Sequence, residues 1–560
     1  MLSRWFWVAV LIFSAAGGCS YAQGSAPSRA KLIRLGFDTP EAWFIREHLA
    51  ELERNTPFDG MAVHLPRLRV NGKPGVTYGH LVFGKERFLA SDFDAWLEDA
   101  KAIRSGKLTD NFVYVSVTGA DYDFFAEEAW ETVRHNFALV AGLVRQAGFK
   151  GVFFDVEHYN QGKPTLFQYL PGAGRPFAEV EAQARRRGAE LMRAITAECP
   201  DLVMLTVLGS FSISFPALWS RNPQRFMENH QYGLTSAFFN GMFDALPPMA
   251  RLYDGSEFTG YQAAGPEDFF RICRDFHVNS PRLAAPENLS KLQAQSGLAM
   301  GLYLDCYLNE DGFWVIRSDS MDRVSLLRRN VRLALESSRD YVWLYGEQCR
   351  WQPIELPPST EAAMAGKIGG GRLWEEAMPG VTAALEFARD PDAYVARAEA
   401  ENRLEKVFQA TFDPPGEPPT LTGVVTWQSG SSKGTIDVDV TGGWQATACA
   451  RLTGVTFGSV LKSVPVKPGE AYFVRALAQT EGDAQATFTV SWQNAERQWT
   501  RRLDEVRMAF SEPLADGWFR ASTTVIVPET AAAMYVSCGS ASATGQAVMR
   551  VDDLEIFLVR

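Results

Sequence analysis

As far as about residue 390, short apolar runs alternate with longer stretches in which apolar residues recur every three to four positions. That alternation predicts βα units and a parallel sheet. Eight runs read as strands: Leu32–Asp38, Gly60–Leu65, Phe112–Val117, Gly151–Glu157, Leu202–Leu208, Ala250–Asp254, Ala299–Asp305 and Tyr341–Glu347. Helical periodicity falls between them, for example over Phe93–Ser105, Ala126–Ala147, Ala178–Glu198, Glu267–Phe276 and Arg323–Ser338. Eight such units over residues 30–400 predict an α/β fold, a (β/α)8 TIM barrel with insertions. A doubly wound open sheet is the other arrangement such a pattern allows. It usually opens with a GxGxxG turn, whereas the turn here reads Gly36-Phe37-Asp38-Thr39-Pro40.

The texture changes after a proline-dense linker at 411–424, which contains Asp413-Pro414-Pro415-Gly416-Glu417-Pro418-Pro419. From 425 to 560, short alternating runs such as Gly434–Val440, Ala471–Ala478, Ala486–Trp492, Thr523–Val527, Ala533–Cys538 and Val548–Phe557 are punctuated by turn residues. They predict an all-β, jelly-roll-like sandwich. Two domains also suit the length, because 560 residues exceed what one hydrophobic core encloses.

Composition adds three constraints. Acidic residues outnumber basic ones, 66 to 55, and no basic cluster stands out, which argues against a nucleic-acid partner. At the N-terminus, Arg4, the apolar run Trp5–Phe13 and small residues from Ser14 predict a signal peptide over 1–22, cleaved after Ala22, and hence export. The stretch Ala16-Gly17-Gly18-Cys19 is an alternative, poor lipobox that would lipidate Cys19. No later stretch is long and apolar enough for a transmembrane helix. Finally, none of the seven cysteines forms a CxxC pair, while Cys449 and Cys538 share one domain and could pair in an oxidising compartment.

Catalytic groups of a TIM barrel sit at the C-terminal ends of its strands. Here those ends carry Asp38, His64, Asp155 with Glu157, Asp254 with Glu257, Asp305, and Glu347. Five of eight strands finishing in a carboxylate would converge the acids on one mouth. Paired carboxylates suit glycoside hydrolysis, in which one protonates the leaving oxygen and another attacks carbon, activates water or steadies the oxocarbenium-like charge. We therefore take Glu157, Asp155, Glu347 and Asp305 as catalytic candidates, and Asp38, His64, Tyr159, Asp254, Glu257, Tyr307 and Trp343 as substrate contacts. Any single acid of this set could instead serve as a salt bridge or helix cap, and Asp38 before Thr39-Pro40 fits that reading best. Trp43, Tyr159, Tyr253, Tyr261, Tyr307, Trp314, Trp343 and Trp351 could stack on sugar faces. Asp155, Glu157, Asp254, Glu257 and Asp305 could alternatively hold a cation, with His64 or His158 added. No HxH or HExxH spacing supports that, so no metal or other cofactor is expected.

The stretch Gly148-Phe149-Lys150-Gly151-Val152-Phe153-Phe154-Asp155-Val156-Glu157-His158-Tyr159 resembles the fourth-strand signature of chitinase-like glycoside hydrolases of family 18, approximately GFDGxDxDxExY. The resemblance implies that Glu157 is the general acid. It also implies that Asp155 orients Glu157 and assists an acetamido oxygen of the substrate as nucleophile. Arg251-Leu252-Tyr253-Asp254 is similar to that family's MxYD segment, and Trp343 to its sugar-platform tryptophan. Two acids of the signature are replaced here, by Lys150 and Phe153. That departure admits a non-catalytic glycan-binding barrel as the alternative. An ordinary retaining hydrolase would use Glu157 as acid/base and Asp305 or Glu347 as nucleophile. The C-terminal stretches Val466-Lys467-Pro468-Gly469-Glu470-Ala471-Tyr472 and Val551–Ile556 resemble the jelly-roll carbohydrate-binding modules of secreted glycosidases.

Overall fold

The computed structural model describes residues 30–157, 159, 163–210, 215–410, 412, 421–542 and 545–560. The segment expected to be a signal peptide, with its lipobox alternative, His158 and most of the proline-dense linker fall outside them.

Nine short strands form one parallel sheet: β1 (Lys31–Arg34), β2 (Gly60–Val63), β3 (Phe112–Ser116), β4 (Gly151–Asp155), β5 (Val203–Thr206), β6 (Arg251–Asp254), β7 (Ser296–Leu298), β8 (Gly301–Tyr303) and β9 (Tyr341–Tyr345). Their order is β8-β9-β1-β2-β3-β4-β5-β6-β7, so the first strand lies beside the last, with Lys31 opposite Tyr341. The sheet is curled and barrel-like. Its two edges, β7 and β8, are consecutive in the chain and separated only by Ala299 and Met300.

The strand expected over Ala299–Asp305 is shorter, Gly301–Tyr303, and a second short strand, Ser296–Leu298, precedes it across a break at Ala299-Met300. Trp343 on β9 accounts for the interruption. Its indole N–H points at the Ala299 carbonyl, 3.0 Å away, and the Gly255 carbonyl, 3.2 Å away. A Cβ on Gly301 would stand 2.3 Å from the Trp343 ring. Gly301→Ala should cost about 1–3 kcal/mol by overpacking, read as a lower urea midpoint with an unchanged slope.

Alternate residues of the strands fill the interior in layers, as the period of two requires. Tyr341 packs between Phe112 and Tyr253, each at 5.4 Å between centroids, and Phe153 meets Trp343 edge-on at 5.5 Å. The other face of β4 carries Phe154, which stacks on Phe83 and abuts Phe137 of the helix Glu127–Ala147. That helix ends at Gly148, whose φ of 72° suits the residue without a Cβ. Helix Arg323–Ser337 begins where Asp322 accepts from the backbone N–H groups of Val324 and Ser325.

The C-terminal region is two antiparallel sheets. One joins Thr435–Asp439, Cys449–Thr453, Val548–Val559, Ala471–Glu481, Trp518–Ile526 and Glu512–Pro513, with Glu405–Ala410 also paired to Val548–Val559. The other joins Val425–Gln428, Phe457–Pro465, Ala533–Ala541, Gln485–Gln493 and Val506–Ala509. Inward residues such as Val474, Val551 and Ile556 of the first meet Phe488, Met534 and Val536 of the second. Cys449 and Cys538 are both free: Cys538 lies in this core, whereas Cys449 packs in a separate cluster with Leu477 and Trp518. The two thiols sit in different layers, so they do not pair. Helices Val381–Arg389 and Pro391–Ala400 bridge the two regions, burying Phe387, Tyr394 and Val395 against Ala471 and Val559.

Candidate functional site

A cavity of about 670 Å³ opens at the C-terminal ends of the parallel strands. Asp155, Glu157, Glu257 and Glu347 all line it, together with His64 and Tyr159. Glu157 and Asp155 share a tight turn at the end of β4. The Asp155 carboxylate accepts from the Glu157 backbone N–H at 2.7 Å, from the Tyr114 hydroxyl at 2.6 Å and from the Tyr159 hydroxyl at 3.0 Å. The Tyr159 hydroxyl also lies 2.7 Å from Glu157 Oε2. Burial, and next the charge of Asp155, push the Glu157 carboxyl up to about 7. Burial raises Asp155 as well, against the hydrogen bonds it accepts.

Glu257 reaches the cavity through an unusual turn. Ser256, with φ 51° and no exposure, adopts the left-handed region immediately after β6. Asp254 holds that turn: its Oδ1 accepts from Ser256 N at 3.0 Å and from Gly209 N at 3.3 Å. Asp254 thus shapes the loop and does not line the cavity. Burial drives the Glu257 carboxyl well above its ordinary range, and the charges of Glu157 and Asp155 add to this. Glu257 Oε2 and the Tyr261 hydroxyl beside it make no well-formed hydrogen bond among the described residues.

Glu347 follows β9. It accepts from the Tyr303 hydroxyl and pairs with Lys367 Nζ at 2.9 Å. Asp305 lies beneath the wall, fully buried, where its Oδ1 accepts from the Glu347 backbone N–H at 3.3 Å. Burial and then Glu347 raise the Asp305 carboxyl to about 7. Asp305 is therefore a support for Glu347 rather than a cavity residue.

Three other candidates stand away from the cavity. Asp38 and Arg34 form a pair in which both side chains are 1% exposed, with Nη2 and Oδ2 2.7 Å apart. The Asp38 carboxylate also accepts from Trp351 N, so it fastens the first loop to the last. Tyr307 is buried and accepts from Asn330 Nδ2 at 2.9 Å. Trp343 is fully buried in the interior and has no face for a sugar. Phe153, where the resembled signature carries an acid, packs edge-on against this ring. Lys150, at the other replaced position, is exposed before β4 begins. No grouping of three or more His, Cys, Asp or Glu side chains suited to a metal ion occurs among the described residues, and no helix among them is long and apolar enough to cross a membrane.

No protein-family model matches the chain, and no curated protein matches it in sequence. Among solved structures it is similar to the enzymatically active domain of tailspike protein 4 from bacteriophage CBA120. The match has 12% identity and a TM-score of 0.22, and covers 27% of this chain and 21% of that one. It is also similar to the CBM22-1 xylan-binding domain of Paenibacillus barcinonensis Xyn10C, at 14% identity, TM-score 0.22, and 28% and 96% coverage. A third likeness is to TmCBM61, solved with β-1,4-galactotriose, at 11% identity, TM-score 0.19, and 25% and 90% coverage. The chain thus spans about a fifth of the tailspike domain and nearly all of the xylan-binding one. Likenesses of this size carry no argument about ligand or reaction.

Several cavity residues escaped the sequence reading. Tyr303 and Tyr345 stand opposite each other on β8 and β9 and stack at 5.3 Å, and Tyr345 lies parallel to Tyr261 at 6.2 Å. Strand alternation placed them in reach: Tyr345 shares the face of Tyr341 and Trp343, one step nearer the mouth. Arg67 and His80 were also missed. Arg67 opens, and His80 follows, a hairpin of Arg67–Val70 and Lys73–Thr77 that turns at Asn71-Gly72 with both φ positive. Asn-Gly between short apolar-polar runs is the local signal that would have found it. Of the aromatics expected at a sugar groove, Tyr159, Tyr261 and Trp314 line the cavity.

Proposed function

We propose that this protein is a glycoside hydrolase. Its parallel sheet would be a (β/α)8 barrel in which β7 and β8 are two halves of one closing strand. The observation that carries the reading is the convergence of Asp155, Glu157, Glu257 and Glu347 on one cavity lined by tyrosines and Trp314. Carboxyls crowded in a partly desolvated cleft titrate apart, which suits acid catalysis near neutral pH. Glu157, protonated below about 7, donates its proton to the glycosidic oxygen. Asp155 fixes Glu157 through its backbone N–H, and Tyr159 holds the carboxyl from the side. Glu347 faces them as the second carboxylate, nucleophile or base, steadied by Lys367 and by Asp305 beneath it. Tyr159 and Trp314 offer ring surface for sugar stacking, and Tyr261, Tyr303 and Tyr345 stack on one another beside them. In this reading the protein is exported, residues 30–400 form the catalytic barrel, and residues 425–560 after the 411–424 linker add a glycan-binding sandwich.

The test is a panel of polysaccharides and oligosaccharides assayed for new reducing ends by mass spectrometry. Product from at least one glycan supports the reading. Binding across the panel with no product would overturn it in favour of a binding barrel. Glu157 also sets an expected pH limb. Its carboxyl is raised, so the active protonated form is lost as pH climbs, and kcat/KM should fall about tenfold per pH unit above about 7. A flat profile from pH 6 to 9 would count against Glu157 as the acid.

A further inference from the structure

One wall of the cavity differs from the rest. The carboxylates gather at the ends of β4, β6 and β9, whereas the ends of β2 and its following hairpin present His64, Arg67 and His80. The three rings of His64, His80 and Tyr114 form a contiguous cluster, with centroids 6.0 Å apart for the histidine pair and 5.4 and 5.6 Å to Tyr114. Tyr114 then donates to Asp155, so this wall adjoins the carboxylate that positions the proposed acid, Glu157.

Arg67 is the decisive member. Its side chain is only 10% exposed. Among the described residues its guanidinium makes one hydrogen bond, from Nη1 to the Gly75 carbonyl at 3.3 Å. Its ion-pair partner Glu41 is held off at 4.0 Å from Nε, since the other Glu41 oxygen accepts from the Arg67 backbone N–H. Burial raises the Glu41 carboxyl, against the Arg67 backbone N–H and charge that lower it. His64 is buried as well, and its Nδ1 has no partner among the described residues. Both imidazoles stay neutral at pH 7: burial first, then the Arg67 charge, holds His80 at about 4 and His64 well below its ordinary value. The wall therefore offers one fixed cation flanked by two neutral imidazoles whose N–H groups can donate. A desolvated guanidinium with unused donors prefers a planar two-oxygen acceptor, because its fork matches carboxylate geometry.

From this wall, and resting on the glycosidase reading for the identity of the cavity, we infer that the substrate is an acidic glycan. A uronic acid residue would place its carboxylate on Arg67, with His64 and His80 alongside. The net charge of −11 does not oppose this, because charges beyond a Debye length of roughly 8 Å are screened at physiological salt and the Arg67 contact is local.

The test separates binding from turnover. Glu157→Gln protein is titrated calorimetrically with pairs of oligosaccharides, each uronate-containing one matched to its carboxyl-reduced counterpart. In at least one pair the acidic member should bind about ten- to a hundredfold more tightly. Arg67→Met should abolish that preference, and Arg67→Lys should retain part of it. Equal or tighter binding of the neutral member in every pair overturns the inference, as does a preference that survives Arg67→Met. If sulfated oligosaccharides alone show the Arg67-dependent preference, the uronate assignment falls. Should Arg67→Met fail to fold, the wild-type pairs decide alone. A uronate preference without hydrolysis by the wild type would keep this wall's role and remove the hydrolase reading. Hydrolysis of neutral glycans without a uronate preference would do the reverse.

Discussion

Glu157→Gln should lower kcat on a natural glycan by about 10²- to 10⁴-fold, the usual worth of a positioned general acid. Glutamine is nearly isosteric and can still meet the Tyr159 hydroxyl that now lies 2.7 Å from Glu157 Oε2. It also removes a carboxyl that burial and Asp155 disfavour in its charged form. The variant should thus fold normally and at pH 8 should melt no lower than the wild type. The mechanism makes a sharper demand through the leaving group. An aryl glycoside with a strongly acidic phenol departs without a proton, so the variant should lose far less rate on it. An equal loss on both substrates, or undiminished activity on the glycan, would remove Glu157 from the role.

Asp38→Asn should be the most destabilising of the conservative changes, costing about 3–5 kcal/mol. Removing one partner leaves Arg34 as an uncompensated buried charge, which costs more than the intact pair contributes. The substitution also disturbs the bond to Trp351 N, which ties the loop after β1 to the loop after β9. Urea unfolding should show a lower midpoint, while KM of the folded protein stays within about twofold, since Asp38 does not line the cavity. A large change in KM with unaltered stability would place Asp38 at the substrate instead.

The strands were legible because their apolar runs are short, spaced by helical periodicity and ended by polar residues. The interruption at Ala299-Met300 was not, because it is imposed by Trp343 from a strand some forty residues later. The candidate acids sort by a similar logic. Position at a strand end found Asp155, Glu157, Glu257 and Glu347. It could not distinguish them from Asp38, Asp254 and Asp305, each of which holds a guanidinium or a backbone N–H instead of lining the cavity. Spacing along a chain locates a carboxylate on a loop. Whether that carboxylate faces a cavity or closes a turn depends on the neighbours that fold over it. The same limit hid Arg67 and His80, since they reach the mouth from an inserted hairpin outside the βα rhythm.

The pairing of β1 with β9 joins segments from opposite ends of the parallel-sheet region. Loop closure over so long a span comes at high entropic cost and is met late, after local helix–strand units have formed. Interactions across that seam, the Arg34–Asp38 clamp on Trp351 among them, would then be absent from the folding transition state. Weakening them leaves the rate of folding nearly unchanged and accelerates unfolding. The seam thus acts as a latch on the native state's lifetime, and wherever proteases are present that lifetime governs survival as much as equilibrium stability does.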